Sequence, residues 1–278
     1  MKTNTLIIQI IISLIAIGVI TITTRHYLFY QNIDIDLGSW GVFYATYGIL
    51  YAIIIGFILI GALGRYEQLK LAVDSEINVI QNIRDFLIYF SDTSSLQRAE
   101  LKGSRSEQVS VLLNIRQCLY KYVKSVYEKE WLEMSDKTEM TDPDSTQELK
   151  AIIVSVSKLE SHDENDSIAL TSIINSLSDL TNHRTKRIYL SNEEIPPPIM
   201  KLLIFMSIFL VAGFLILGVQ NMWVHLIMII SFSTTIQLII NLLADLNNPF
   251  SGIWNIDNKR YVALAEKIKS KMDEALTQ

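Results

Sequence analysis

Four apolar blocks, separated by amphipathic and polar stretches, divide the 278 residues. They run over Thr5–Thr24, Val42–Gly64, Ile199–Val219 and Trp223–Ala244. A hydrocarbon core takes about 20 apolar helical residues to cross, and each block is long enough. Past the second block the pattern changes but the helix does not. No Gly or Pro interrupts Arg65–Phe90, and apolar residues recur at Leu69, Val73, Ile80, Ile83, Leu87 and Phe90. That three-four spacing is an amphipathic helix. Val42–Phe90 therefore reads as one rod, membrane-spanning in its first half and water-soluble in its second. At about 1.5 Å per residue it reaches roughly 70 Å.

The remaining polar stretches carry the same helical period. Gln108–Met134 places Val109, Leu112, Leu119, Val123 and Val126 on one stripe, with Trp131 after it. Thr146–Leu159 is a shorter helix. Ser167–Leu190 follows, with the stripe Ile173, Leu177, Leu180 and either Asp163 or Asp166 as its cap. Ile195-Pro196-Pro197-Pro198 ends that helix and opens the third span, since proline is tolerated in a helix's first turn. A last amphipathic helix starts near Asn258, with Tyr261, Leu264, Ile268 and Met272 on its stripe. Arg25–Gly41, Ser91–Ser106 and Thr138–Ser145 read as loops or turns, and no alternating strand pattern exceeds a few residues.

These elements predict an all-α membrane protein. Its four transmembrane helices form two hairpins, 5–64 and 199–244, with an α-helical cytoplasmic domain, 65–195, inserted between them. A tail, 245–278, carries the last helix. Arg25-His26-Tyr27 follows the first block where a signal peptide would have small residues, so that block is expected to be a retained span. Near the span ends one side carries Lys2, Arg65, Lys70, Arg84, Arg184, Lys186, Arg187, Lys259 and Arg260, and the other only Arg25. The positive-inside rule then makes the protein multi-pass in the inner membrane, with both termini cytoplasmic.

Composition narrows the function classes. Half of the residues are hydrophobic, and the excess sits in the four blocks. The net charge of −5, with basic residues scattered, argues against nucleic acid as a partner. The single cysteine, Cys118, excludes an internal disulfide and reads as a small buried hydrophobe. His26, His162, His183 and His225 lie in separate segments, none at metal-binding spacing from another. There is no phosphate-cradling glycine loop and no nucleophile elbow. Asp163-Glu164-Asn165-Asp166 lacks the ligand order of a calcium loop. The expectation is a non-enzyme without catalytic residues, cofactor or metal.

Four groups of residues stand out instead. Gly48, Ala52 and Gly56, each four apart, form a small-residue stripe that lets another helix approach. Ile53, Phe57 and Ile60 form the bulky face of the same span at successive turns. Thr234, Gln237, Asn241 and Asp245 share one face of the fourth span, where polar groups either bond to neighbouring helices or line a wet path. Glu76 places a carboxylate on the seam between Val73 and Ile80. A buried charge must be paired, and Arg184 and Arg187 extend the apolar stripe of the last cytoplasmic helix; Arg187 lies twelve residues before the third span, as Glu76 lies twelve after the second. Arg116 is the competing partner. The alternative is a slight rotation that packs Ile77 and leaves Glu76 in water.

Several motifs coincide with a known family. Tyr51–Phe57 (YAIIIGF), Val73-Asp74-Ser75-Glu76 and Tyr122–Trp131 (YVKSVYEKEW) resemble the bestrophin-like family. So do the paired Arg184 and Arg187 before Ile195-Pro196, and Leu246–Gly252 (LNNPFSG). The resemblance covers about Tyr47 to Gly252. It implies a four-span bacterial membrane protein, distantly similar to the bestrophins, which are pentameric anion channels whose second span lines the pore. By that resemblance Ile53, Phe57 and Ile60 would form a hydrophobic constriction. Lipid-facing or core packing is the other reading. The sequence departs from the family at Asn247, where an acidic residue is common. Ser251-Gly252-Ile253-Trp254 stands where animal bestrophins carry their acidic calcium cluster. Calcium gating is therefore not carried over. The expected protein is a homo-oligomer, pentameric by the resemblance, conducting ions through a lipid bilayer. The alternative is a membrane-anchored signalling or scaffold protein whose cytoplasmic domain binds a protein partner.

Overall fold

The computed structural model describes residues 2–31, 37–91, 105–136, 145–161, 163–216, 219 and 221–276. Among them every regular element is helical. The elements are α1 (Lys2–Gln31), α2 (Leu37–Ser91), α3 (Arg105–Ser125), a π turn (Val126–Glu130), α4 (Trp131–Asp136), α5 (Ser145–Val156), α6 (Glu164–Asn192), α7 (Pro197–Ile216), α8 (Met222–Asn247) and α9 (Lys259–Leu276). The loops expected at Ser91–Ser106 and Thr138–Ser145 fall largely outside the described residues, as do Asp34, Asp36 and His162.

Two helices outrun their expected limits. The loop expected at Arg25–Gly41 is helical on both sides: α1 continues to Gln31, and α2 already starts at Leu37. No Gly or Pro lies between Arg25 and Gln31, so nothing stops the first helix. α2 is an unbroken 55-residue helix. The cap of α6 is Asp163, which accepts from the Asp166 amide at 2.7 Å. Asn221 caps α8 by accepting from the amides of Trp223 and Val224. α8 passes Asp245 and ends at Asn247.

The chain forms two compact units. The first comprises residues 1–66 and 194–255, and the second 67–193 and 256–278. The stretch expected as one tail, 245–278, divides between them after Asn255. In the first unit Tyr51, Ile55 and Ala62 of α2 pack with Leu203, Met206 and Leu210 of α7 and with Ile236, Leu243 and Leu246 of α8. Among the described residues, three of its helical stretches are long and apolar enough to cross a membrane: the start of α2, α7 and α8. Ile11–Thr24 in α1 is a shorter apolar stretch. The threonines of α1 return their hydroxyls to helix carbonyls, Thr21 to Ile17 at 2.7 Å and Thr23 to Val19 at 3.0 Å, which makes them tolerable in apolar surroundings.

The second unit buries apolar faces of several helices. Leu69, Val73, Ile77, Ile80, Ile83, Leu87 and Phe90 of α2 are all sealed from solvent. Leu112, Ile115, Leu119 and Val123 of α3 are buried too, with Ile152 of α5, Ile173 and Leu180 of α6, and Leu264 and Ile268 of α9.

Among the described residues no helix packs tightly against Gly48 or Gly56, whereas one does against Gly213. A side chain added at Gly56 would meet nothing within 4 Å, and at Gly48 only Leu210 at 4.0 Å. At Gly213 it would collide with the Tyr44 ring, whose hydroxyl donates to the Leu210 carbonyl. The Tyr44 ring also meets Phe214 edge-on at 5.4 Å. Gly213→Ala should therefore cost about 1–3 kcal/mol by overpacking, read as a lower melting temperature in detergent. Gly56→Ala should leave the melting temperature unchanged or raise it slightly.

Candidate functional site

The exposed bulky face of α2 is one of two constellations that carry chemistry. In the first unit Tyr51 and Ile55 turn inward, and the helical period turns Ile53, Phe57 and Ile60 outward. Phe57 is 73% exposed and Ile60 70%. Among the described residues no side chain covers the stripe, which leaves it open to lipid, a pore or another copy.

The polar face of α8 is used within the first unit. Gln237 accepts from the Ser13 hydroxyl of α1 at 2.6 Å. Thr234 returns its hydroxyl to the Ile230 carbonyl at 2.6 Å. Asn241 is half-buried. Asp245 accepts from the Ile253 amide at 2.8 Å and lies so close to Gly252 that a side chain there would come within 2.5 Å of its carboxylate. The turn Leu246–Gly252 is thus closed from within. Arg65 donates to the Leu246 carbonyl at 2.5 Å, satisfying one of the orphan acceptors at the end of α8. Asn247 accepts from the Ile195 amide at 2.8 Å, next to the proline run.

The second constellation is a charge cluster inside the second unit. Glu76, on the seam of α2, is 0% exposed, and its neighbour Ile77 is 1% exposed. The two are buried together, so the helix does not choose between them. Arg187 of α6 is also fully enclosed. Its Nε donates to Glu76 Oε2 at 2.7 Å and its Nη2 to Glu130 Oε2 at 2.6 Å. The Met134 sulfur accepts from Arg187 Nη1 at 3.4 Å. Arg184, one turn earlier, reaches Glu130 Oε1 at 3.4 Å and the Thr146 hydroxyl at 2.9 Å. Two guanidiniums face two carboxylates, and the cluster is neutral.

Two tyrosines seal it. Tyr122 donates its hydroxyl to Glu76 Oε1 at 2.7 Å. The Tyr261 hydroxyl of α9 is enclosed beside the cluster and has no well-formed hydrogen bond among the described residues. Burial pushes both hydroxyls well above the usual tyrosine range, and the nearby Glu76 charge pushes them further. Burial acts to lower the Arg187 pKa, but the two carboxylates outweigh it and hold the guanidinium firmly charged.

Glu130 comes to the cluster through the π turn. The Trp131 amide bonds back to the Val126 carbonyl, five residues away, which inserts one residue into the helical ladder. Glu130 and Trp131 are then both buried, with the Trp131 ring meeting Tyr261 at 5.7 Å. Sequence reasoning paired Glu76 with the arginines but missed Glu130, Tyr122 and Tyr261 as members of the same cluster. One signal was present: the apolar stripe steps five residues from Val126 to Trp131, where an α-helix would step three or four. Arg116, the competing partner for Glu76, is not in the cluster. It lines a cavity with Arg84 and Asp85.

Comparison with known proteins gives a consistent picture. A family model described as Bestrophin-like domain matches residues 14–261. No curated protein matches the sequence. A solved structure of a bacterial bestrophin homologue from Klebsiella pneumoniae superposes with a TM-score of 0.64 at 14% identity, over 98% of this chain and 99% of that one. A singly substituted form of the Klebsiella homologue gives 0.63, also at 14% identity and covering 98% and 99%. At this identity the likeness shows a shared fold.

Two outcomes test the cluster. Glu76→Ala should cost about 3–5 kcal/mol in thermal or chemical unfolding, because a buried arginine loses a partner. Arg187→Met should cost more, since it strands two carboxylates, and adding it to Glu76→Ala should give no recovery while Glu130 remains. The second outcome is pH dependence. Below about pH 10 both tyrosines are protonated in the folded and the unfolded chain, and the stability they support is fully present. Above it the unfolded chain releases protons that the folded one keeps, so stability falls as pH rises, by at most roughly 1.4 kcal/mol per pH unit and tyrosine. Melting temperatures between pH 8 and 11 should drop more steeply for the parent than for a Tyr122→Phe, Tyr261→Phe variant.

Proposed function

Because the chain belongs to the Bestrophin-like family of membrane proteins, we propose that it is an oligomeric ion channel, passing anions along a path lined by the second helix. The observation that carries this reading is the uncovered bulky stripe of α2. In a ring of copies, Ile53, Phe57 and Ile60 would form successive apolar collars, and a narrow apolar pore gates by dewetting. The stripe's rigidity supports this, since α2 has no break at which a collar could fold away. Thr234, Gln237, Asn241 and Asp245 then serve packing and closure of the first unit rather than conduction. The proposed topology has four spans, with residues 65–195 and both termini in the cytoplasm of a bacterium. No catalytic role is proposed.

A second reading has support of its own. α5 and α6 of the second unit leave an apolar groove of about 470 Å³, with Ile153, Leu170 and Ile174 along it. A cytoplasmic protein partner docking there would make the molecule a membrane-anchored scaffold.

Reconstitution into liposomes with an anion-flux readout separates the two. The channel reading expects flux in the parent and increased flux in Phe57→Ala, with the oligomer intact by size measurement in detergent. A monomer, or an assembled protein without flux, would leave the scaffold reading. Topology is tested on Cys118→Ser protein. A cysteine at Asn221 should be labelled from outside intact cells, and one at Glu160 only after permeabilisation.

A further inference from the structure

A cavity of about 620 Å³ lies among α2, α3 and α9 of the second unit, lined by residues that the buried cluster does not use. That is within the usual range for a small-molecule site. Among the described residues its charges do not balance. Arg84, Arg116, Lys267 and Lys271 contribute four cations, against the carboxylates of Asp85 and Glu266. Asp85 is already held by Arg84 at 2.7 Å. Arg116 is half-buried and makes no hydrogen bond or ion pair among the described residues. Burial perturbs it against the charged form, and no carboxylate among the described residues offsets the cost. Lys267 and Lys271 stand one turn apart on α9 and are exposed at the rim. Ile88 and Ile268 supply apolar wall.

An unpaired guanidinium held in a concave, partly apolar site is a binding feature that the fold has left incomplete. Within a single helix seam it replaces a hydrophobic residue, flanked by buried Leu112, Ile115 and Leu119. Its planar fork suits an oxyanion, the lysines add positive field, and the isoleucines favour a ligand with an apolar body. We propose that this cavity binds a small organic anion, with Arg116 as the principal contact for its oxyanion and Ile88 and Ile268 against its apolar part. The proposal does not depend on the channel reading.

The test uses the full chain in detergent and fluorine NMR, so that no flux is involved. The probe is para-fluorobenzoate, with neutral para-fluorobenzamide as its isostere. Saturable broadening of the benzoate and none of the amide is expected. Arg116→Gln should weaken the benzoate by at least about tenfold, the scale of truncating one member of a buried charge pair. The exposed pair Lys267→Gln, Lys271→Gln should weaken it less, at an unchanged melting temperature. Equal saturable binding of the amide would show an apolar or micellar site and overturn the proposal. So would an unaltered benzoate affinity in a folded Arg116→Gln protein, or no saturable binding by the parent at millimolar concentration. Should Arg116→Gln fail to fold, the double lysine variant decides, and undiminished binding there refutes the site.

Discussion

A charge buried away from water has to be matched, and Arg187 is the charge on which the second unit is built. Its guanidinium is fully enclosed, and its two short ion pairs come from different parts of the chain, Glu76 on α2 and Glu130 on the π turn. In a low-dielectric interior an unmatched ion is far more costly than a lost apolar contact. A one-residue slip of any of the three elements would carry a charge out of reach. The cluster therefore ties α2, α6 and the helix after α3 to one register, while the surrounding Leu, Ile and Val side chains supply non-directional burial. The stabilisation is hydrophobic; the alignment is electrostatic.

The π turn is the local irregularity that this match requires. An uninterrupted α-helix through Val126–Trp131 would rotate Glu130 away from the arginines by about 100° per residue. One extra residue in the turn brings both Glu130 and Trp131 to the buried side. Tyr122, one turn before it on α3, completes the Glu76 carboxylate with its hydroxyl. The first unit obeys a different rule. Its outward surfaces are apolar, so burial of hydrophobic area does little to choose between arrangements in a membrane. Shape and hydrogen bonds choose instead: Tyr44 over Gly213, Ser13 with Gln237, and the closed turn beneath Arg65, Asp245 and Asn247.

That turn is closed by hydrogen bonds from both of its flanks. Asn247 uses its side-chain carbonyl to hold the Ile195 amide. Asp245 spends its carboxylate on the Ile253 amide, over a glycine that leaves it room. The backbone course is secured by neutral and singly charged hydrogen bonds inside one chain.

The elements were legible in the sequence because helical periodicity and polarity are local properties. The four apolar blocks, the seam Leu69–Phe90 and the Asp163 cap can all be read from neighbours three or four residues apart. Glu76 could be singled out the same way, as a carboxylate breaking an apolar stripe. What it would face was not local. Arg187 and Arg184 could be matched to Glu76 by counting from the membrane, but Glu130 depends on a π turn whose only trace is a five-residue step. Tyr261 arrives from a helix that sequence order places in a separate tail. The small-residue stripe at Gly48–Gly56 has no close neighbour at its glycines among the described residues, while Gly213 lies under the Tyr44 ring, because only the facing side chain decides where a missing one matters. Periodicity says which face of a helix is buried; only the tertiary structure says what that face meets, since charge pairing and steric fit are relations between residues far apart in the chain.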